Sequence, residues 1–192
     1  MMQRWQDVET FLTAEAERDL CATGEVTPCL VACHGDEPLF AAFLRPFARG
    51  AYVDPMIELL ALAMPLGADR LALSLGGRAW SFDDPVVPVV PGAGDLRQRV
   101  VCIHLADGTA DEPAVETLLL PFTVVDGTVV WDAELRPGPS ESWINQALAL
   151  SVSARDALQA SPEGLAAQAQ RCVTLGHQLY LAPAGDARMP AT

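Results

Sequence analysis

Leu118, Leu120, Phe122 and Val124 alternate with Thr117, Leu119, Pro121 and Thr123, and a turn signal follows at once. Successive side chains of an extended chain point to opposite faces, so this run predicts a β-strand with one buried face. Asp126-Gly127 supplies a two-residue hairpin turn, and residues 128–132 its return strand, with Val129 and Trp131 on one face. Pro121 lacks an N–H and predicts an edge or a bulge at that point of the longer strand. A paired sheet with one apolar face needs a second layer to cover it, and that requirement constrains how the rest of the chain reads.

More strands precede this hairpin. Val101, Ile103 and Leu105 form one face of a run over 99–105, with Val100, Cys102 and His104 on the other. Leu71, Leu73 and Leu75 alternate with Ala72 and Ser74, and Gly76-Gly77 is expected to turn the chain into 78–81. Two apolar runs, 29–33 and 39–44, flank His34-Gly35-Asp36-Glu37-Pro38 and predict another hairpin. Residues 81–94 carry Pro85, Pro88 and Pro91 at even spacing and predict an extended loop.

The covering layer reads as helices. Trp5, Val8, Leu12, Ala16 and Leu20 recur at spacings of three and four, and Gly24 and Pro28 close the segment. Asp54 as N-cap and Pro55 at the first position open a helix that is apolar on nearly every side to Leu66, which predicts burial all round. After Pro137-Gly138-Pro139, the stripe Trp143, Ala147, Leu150, Ala154 and Leu158 predicts a third helix. Ser161-Pro162 opens a fourth, whose stripe is Leu165, Ala169, Cys172, Gly176 and Leu179. His177 is expected at a surface or interface. The fold class is therefore α+β: a single domain over 1–182, with a mostly antiparallel sheet of about five to seven strands packed on a buried helix. The sheet-and-helix core spans 28–135, helices are added over 1–24 and 140–182, and 183–192 is expected to be a flexible tail.

Charge narrows the partners. The formal net charge is −13, all twelve residues of the Lys+Arg count are Arg, and these are scattered. A surface without a cationic stripe argues against nucleic acid and against anionic membranes. The absence of lysine excludes a phosphate-cradling Walker lysine and any Schiff-base mechanism. One Asn and three Ile among many Ala, Gly, Pro and Val point to a GC-rich genome as the reason lysine is missing. The N-terminus lacks the apolar segment of a signal peptide, and the five cysteines are irregularly spaced, so free thiols in a cytoplasmic protein are expected.

The run GADRLALSLGGRAWS (67–81), the proline-rich loop and the strand RVVCIHLADG (99–108) resemble uncharacterised bacterial and phage-associated proteins over about 28–135. That resemblance implies a compact α+β domain and no particular activity. The order of helix, hairpin, helix, three strands and helix is similar to the roadblock or profilin-like layout, whose members often dimerise and act as scaffolds.

The sharpest chemical constellation is Cys29, Cys33 and His34 with Cys102 and His104. Thiolates and imidazoles bind zinc, and Cys102 and His104 share a strand face. Against this, no C-x₂-C pair is present, and adjacent Cys33 and His34 point to opposite faces, so cysteines packed as small apolar side chains are the expectation. A Cys–His nucleophile pair, Cys102 or Cys33 with His104 or His34, needs a cationic neighbour that the sequence does not place. Asp83, Asp84, Asp107 and Glu112 read as solvated loop carboxylates, and Gly92-Ala93-Gly94 lacks the strand and helix of a dinucleotide loop. No cofactor is expected. The leading expectation is a non-enzymatic, self-associating interaction or scaffold protein, a homodimer, motivated by two apolar helical faces in an acidic chain. The alternatives are a small Cys/His-dependent hydrolase or metal-binding enzyme, and a small-molecule binding module with a pocket under the 81–94 loop.

Overall fold

The computed structural model describes residue 2 and residues 4–48, 50–79, 97–138, 142–158 and 160–182. The proline-rich loop with Asp83 and Asp84, the glycines at 92–94, Trp80 and the expected tail lie outside the described residues. Seven strands form one antiparallel sheet in the order β6-β5-β4-β3-β1-β2-β7. They are β1 (Cys29–His34), β2 (Glu37–Phe43), β3 (Arg70–Ala79), β4 (Gln98–Asp107), β5 (Ala114–Val125), β6 (Thr128–Trp131) and β7 (Gln178–Leu181). The helices are α1 (Val8–Thr23), α2 (Val53–Ala63), α3 (Trp143–Ser153) and α4 (Pro162–Leu175).

Helices cover both faces of the sheet. On one face α1 lays Val8, Leu12, Ala16 and Leu20 over Val31, Ala72, Val101, Ile103 and Leu118. On the other, α2 packs Met56, Leu59, Leu60 and Leu62 on Leu30, Phe40, Leu71 and Leu73. α3 lies against β4 and β5 beside it, and α4 rests on α2 through half-buried Ala169 and buried Cys172. The alternation read from 99–105 and 117–124 is the observed division between the two faces: Val101, Ile103, Leu118 and Leu120 turn to α1, while Ala106, His104 and Thr117 turn to α3.

Several local expectations are corrected. β3 runs straight through Gly76 and Gly77, which pair with Val101 and Val100. Gly76 serves a close approach instead of a turn, because a Cβ there would lie 3.2 Å from Val26 Cβ. α2 begins at Val53 with Tyr52 at its N-cap, so Asp54 sits in the first turn, where its charge favours the positive end of the helix. That helix is buried on one side only, and Ile57 is 52% exposed. α3 buries Ile144, Asn145, Leu148, Ser151 and Val152; of the stripe read from the sequence, Leu150 and Leu158 point outward, Leu150 being 70% exposed, while Ala147 packs against the core and Trp143 stacks on Tyr52.

α4 stops at Leu175, because Gly176 takes φ +102°, a conformation open to glycine and costly for other residues. The residues beyond it form β7, so Leu179 belongs to a strand rather than to the helical stripe. Pro121 sits where the pairing shifts by one residue, between Phe122↔Trp131 and Leu119↔Leu135. Its carbonyl accepts from Asp132 N–H at 2.9 Å, and the donor it lacks would have faced the same side.

Candidate functional site

The Cys and His candidates are distributed among different surroundings. Cys29 and Cys33 are buried under α1 with Val31 between them. Burial pushes both thiols up to about 12. Cys102 lies on the opposite face, half-buried, and burial raises it to about 11. A thiol so raised is protonated at neutral pH and is a poor nucleophile and a poor metal ligand. Cys172 is also buried and Cys21 is exposed. Among the described residues no three His, Cys, Asp or Glu side chains gather in a cluster able to hold a metal ion.

His104 faces α3 and closes a buried polar triangle. Its Nδ1–H donates to Asn145 Oδ1 at 2.8 Å, and Asn145 Nδ2 donates to Thr117 Oγ1 at 3.1 Å. Thr117 is the cross-strand neighbour of His104, and Asn145 stands in the first turn of α3, whose N-cap Ser142 accepts its backbone N–H. Burial lowers the His104 pKa below 6.5, against the smaller opposite effect of the Asn145 bond, so the ring is neutral at pH 7. The triangle fixes α3 on the sheet.

His34 stands apart at the end of β1. Its side chain is 53% exposed, its Nδ1–H donates to Gly67 C=O at 2.9 Å, and Asp69 Oδ2 lies 3.4 Å away. Asp69 Oδ1 accepts the Gly35 N–H at 2.7 Å, which closes the β1–β2 turn onto the start of β3. Arg70 bonds Asp36 at 2.8 Å and Asp107 at 3.0 Å in the same corner. Burial would raise Asp107, but the bonds from Thr109 and the nearby Arg70 outweigh it and hold the carboxyl below its usual range. Arg70 thus answers two of the three carboxylates in this corner, Asp36 and Asp107.

A second polar knot escapes the sequence altogether. Arg45 reaches Glu58 with two parallel bonds, Nε to Oε2 at 2.8 Å and Nη2 to Oε1 at 2.9 Å. The His177 side chain is fully buried, correcting its expected surface position. Its Nδ1 accepts the Arg45 backbone N–H at 3.1 Å, so the proton resides on Nε2, which donates to Glu58 Oε2 at 2.8 Å. The Arg45 bonds and then the His177 bond draw the Glu58 carboxyl from 4.5 down to about 2, against the cost of burial. The knot ties α2 to the residues that follow β2 and to the start of β7. The three residues lie 13 and 119 positions apart, so no spacing announces them.

The most exposed apolar surface beside this knot is β7 itself. Tyr180 is 50% and Leu181 55% exposed. α1 packs mainly over β3, β4 and β6 and reaches β2 only at its near side, where Arg18 lies over the Phe43 ring. A groove of about 400 Å³ remains there, between Phe11, Arg18 and Asp19 of α1 and Phe43 and Tyr180 of the strands. Arg18 spans its rim, paired with Glu15 and over the Phe43 ring, and Asp19 accepts the Thr27 N–H at 3.0 Å. The tyrosine meets Phe43 edge-on, with ring centres 6.0 Å apart. The chain matches no known protein family, no curated protein and no solved structure.

Proposed function

We propose that this chain is a self-associating interaction protein that works as a homodimer and performs no chemistry of its own. The observation that carries this reading is the exposed apolar surface of a strongly acidic chain. Tyr180 and Leu181 on β7, and Leu150 and Trp143 on the outward side of α3, are at least 39% exposed. Apolar groups at such exposure are favourable to bury against a partner, and their grouping on one edge strand and one helix marks association surfaces rather than scattered surface leucines.

The surroundings of the thiols and imidazoles support the same reading. Burial keeps Cys29, Cys33 and Cys102 protonated, His104 is committed to Asn145 and Thr117, and His177 to Glu58 and Arg45. These groups hold elements together, which is the rigidity a scaffold requires. Light scattering over a concentration series tests the reading. Dimers at micromolar concentration are expected, and monomers throughout would refute it.

A further inference from the structure

We propose that β7 is the self-pairing edge: two copies join by antiparallel β7–β7 pairing, with Leu179 opposite the partner's Leu181 and Tyr180 opposite the partner's Tyr180. This rests on the self-association proposed above and names its surface.

The backbone sets the register. Ala182 N–H donates to Leu39 C=O at 3.1 Å, and β2 pairs with β7 without a shift. In an antiparallel ladder the residues that bond a given neighbour alternate. Gln178, Tyr180 and Ala182 therefore turn their N–H and C=O groups toward β2, and Leu179 and Leu181 turn theirs outward. Among the described residues β7 is the last strand of the sheet, so those outward groups lie on its outer edge. A two-fold axis at Tyr180 places both outward residues opposite outward residues of the partner, giving four backbone hydrogen bonds. One copy's surface thus complements itself, as closed two-fold symmetry demands.

Charge selects this edge over the other. Free strand edges are commonly guarded by charged residues that discourage pairing. β6, the opposite edge, is flanked by Asp126, Asp132 and Glu134. From 178 to 182 the sequence is Gln-Leu-Tyr-Leu-Ala, without a charge. Two chains of net charge −13 repel, so their contact is favoured where neither presents a carboxylate. The edge is also held in place before any partner arrives. Glu58 and Arg45 anchor His177 at its start, and half-buried Leu179 packs against the core on the α2 side. Little conformational freedom is left to lose on pairing. Tyr180 lies on the α1 side, where the two-fold axis would bring it against its counterpart and join the two grooves across the dimer.

Two substitutions test the register in the full chain. Leu181→Pro removes an outward N–H and no bond to β2, so the sheet is retained while two of four intermolecular bonds are lost. The dimer is expected to weaken by about thirtyfold. Leu181→Glu, which adds charge and leaves the backbone intact, is expected to weaken it as well. Tyr180→Cys, made with Cys21→Ser to remove the exposed thiol, is expected to form a disulfide-linked dimer under oxidised glutathione. Facing residues of a non-hydrogen-bonded pair lie within disulfide reach. If both Leu181 variants dimerise as the wild type does and Tyr180→Cys fails to cross-link, the β7 proposal is overturned while self-association stands, and the outward side of α3 takes its place. A wild-type chain that is monomeric at every concentration overturns both.

Discussion

Glu58 joins two distant parts of the chain, because it answers both Arg45 and the buried His177. Glu58→Gln keeps the shape but loses the charge, and is expected to cost roughly 2 kcal/mol in denaturant unfolding. The pH dependence has a definite sign. A carboxyl lowered from 4.5 to about 2 on folding contributes stability above 4.5 that is lost as the pH falls toward 2, because the unfolded chain binds the proton first. His104 acts in a higher window: burial lowers its pKa, so the folded state resists protonation and stability declines as the pH falls below 6.5. Urea midpoints measured from pH 8 to pH 3 should show the upper step vanish in His104→Leu and the lower step shrink in Glu58→Gln. Gly108 is a third sensitive residue. A Cβ there would lie 2.8 Å from Val152 Cγ2, so Gly108→Ala is expected to cost about 1–3 kcal/mol by thermal unfolding. Of these residues His104 alone stood out in the sequence, beside Cys102, and the partners through which all three act are brought close only by the fold.

The elements were legible where a period ran uninterrupted. Residues 99–105 and 117–124 declared their strands and their faces, because alternation follows from the pleat itself. α1 likewise declared its buried side. α3 did not, since it carries two stripes. The stripe through Trp143 and Leu150 is fully apolar, while the buried one includes Asn145 and Ser151, whose polarity is satisfied by His104, Thr117 and the Ala147 carbonyl. The more apolar stripe therefore read as the inner one. Substitution separates them: Leu148→Ala should destabilise by about 2–5 kcal/mol, and Leu150→Ser should leave the melting temperature nearly unchanged. The α4-to-β7 break was hidden because Leu179 also falls at helical spacing from Cys172, and the left-handed Gly176 interrupts the helix before it. Tyr180→Pro provides a further check on β7. It removes a donor aimed at β2 and should lower the melting temperature, in contrast to Leu181→Pro.

At the scale of the molecule, the expected α+β fold and antiparallel sheet are present, with four α-helices among the described residues divided between the two faces. No helix among the described residues is long and apolar enough to cross a membrane. The candidate site was less legible than the fold. The sequence drew attention to Cys33, His34, Cys102 and His104 because of their chemistry, but the sheet separates Cys33 from Cys102 and His104 by placing them on opposite faces. The lack of charge over 178–182 is visible in the sequence, but the register that turns Leu179 and Leu181 outward is not. The net charge of −13 gives the dimer a characteristic salt response: screening weakens repulsion between the copies, so association should strengthen as sodium chloride rises from 20 to 300 mM, conditions spanning Debye lengths from about 20 Å to about 6 Å. The most direct test is light scattering coupled to size exclusion over a hundredfold range of concentration. The account predicts a mass that climbs from 20.5 kDa toward twice that value. A mass that stays at 20.5 kDa across the whole range would contradict it.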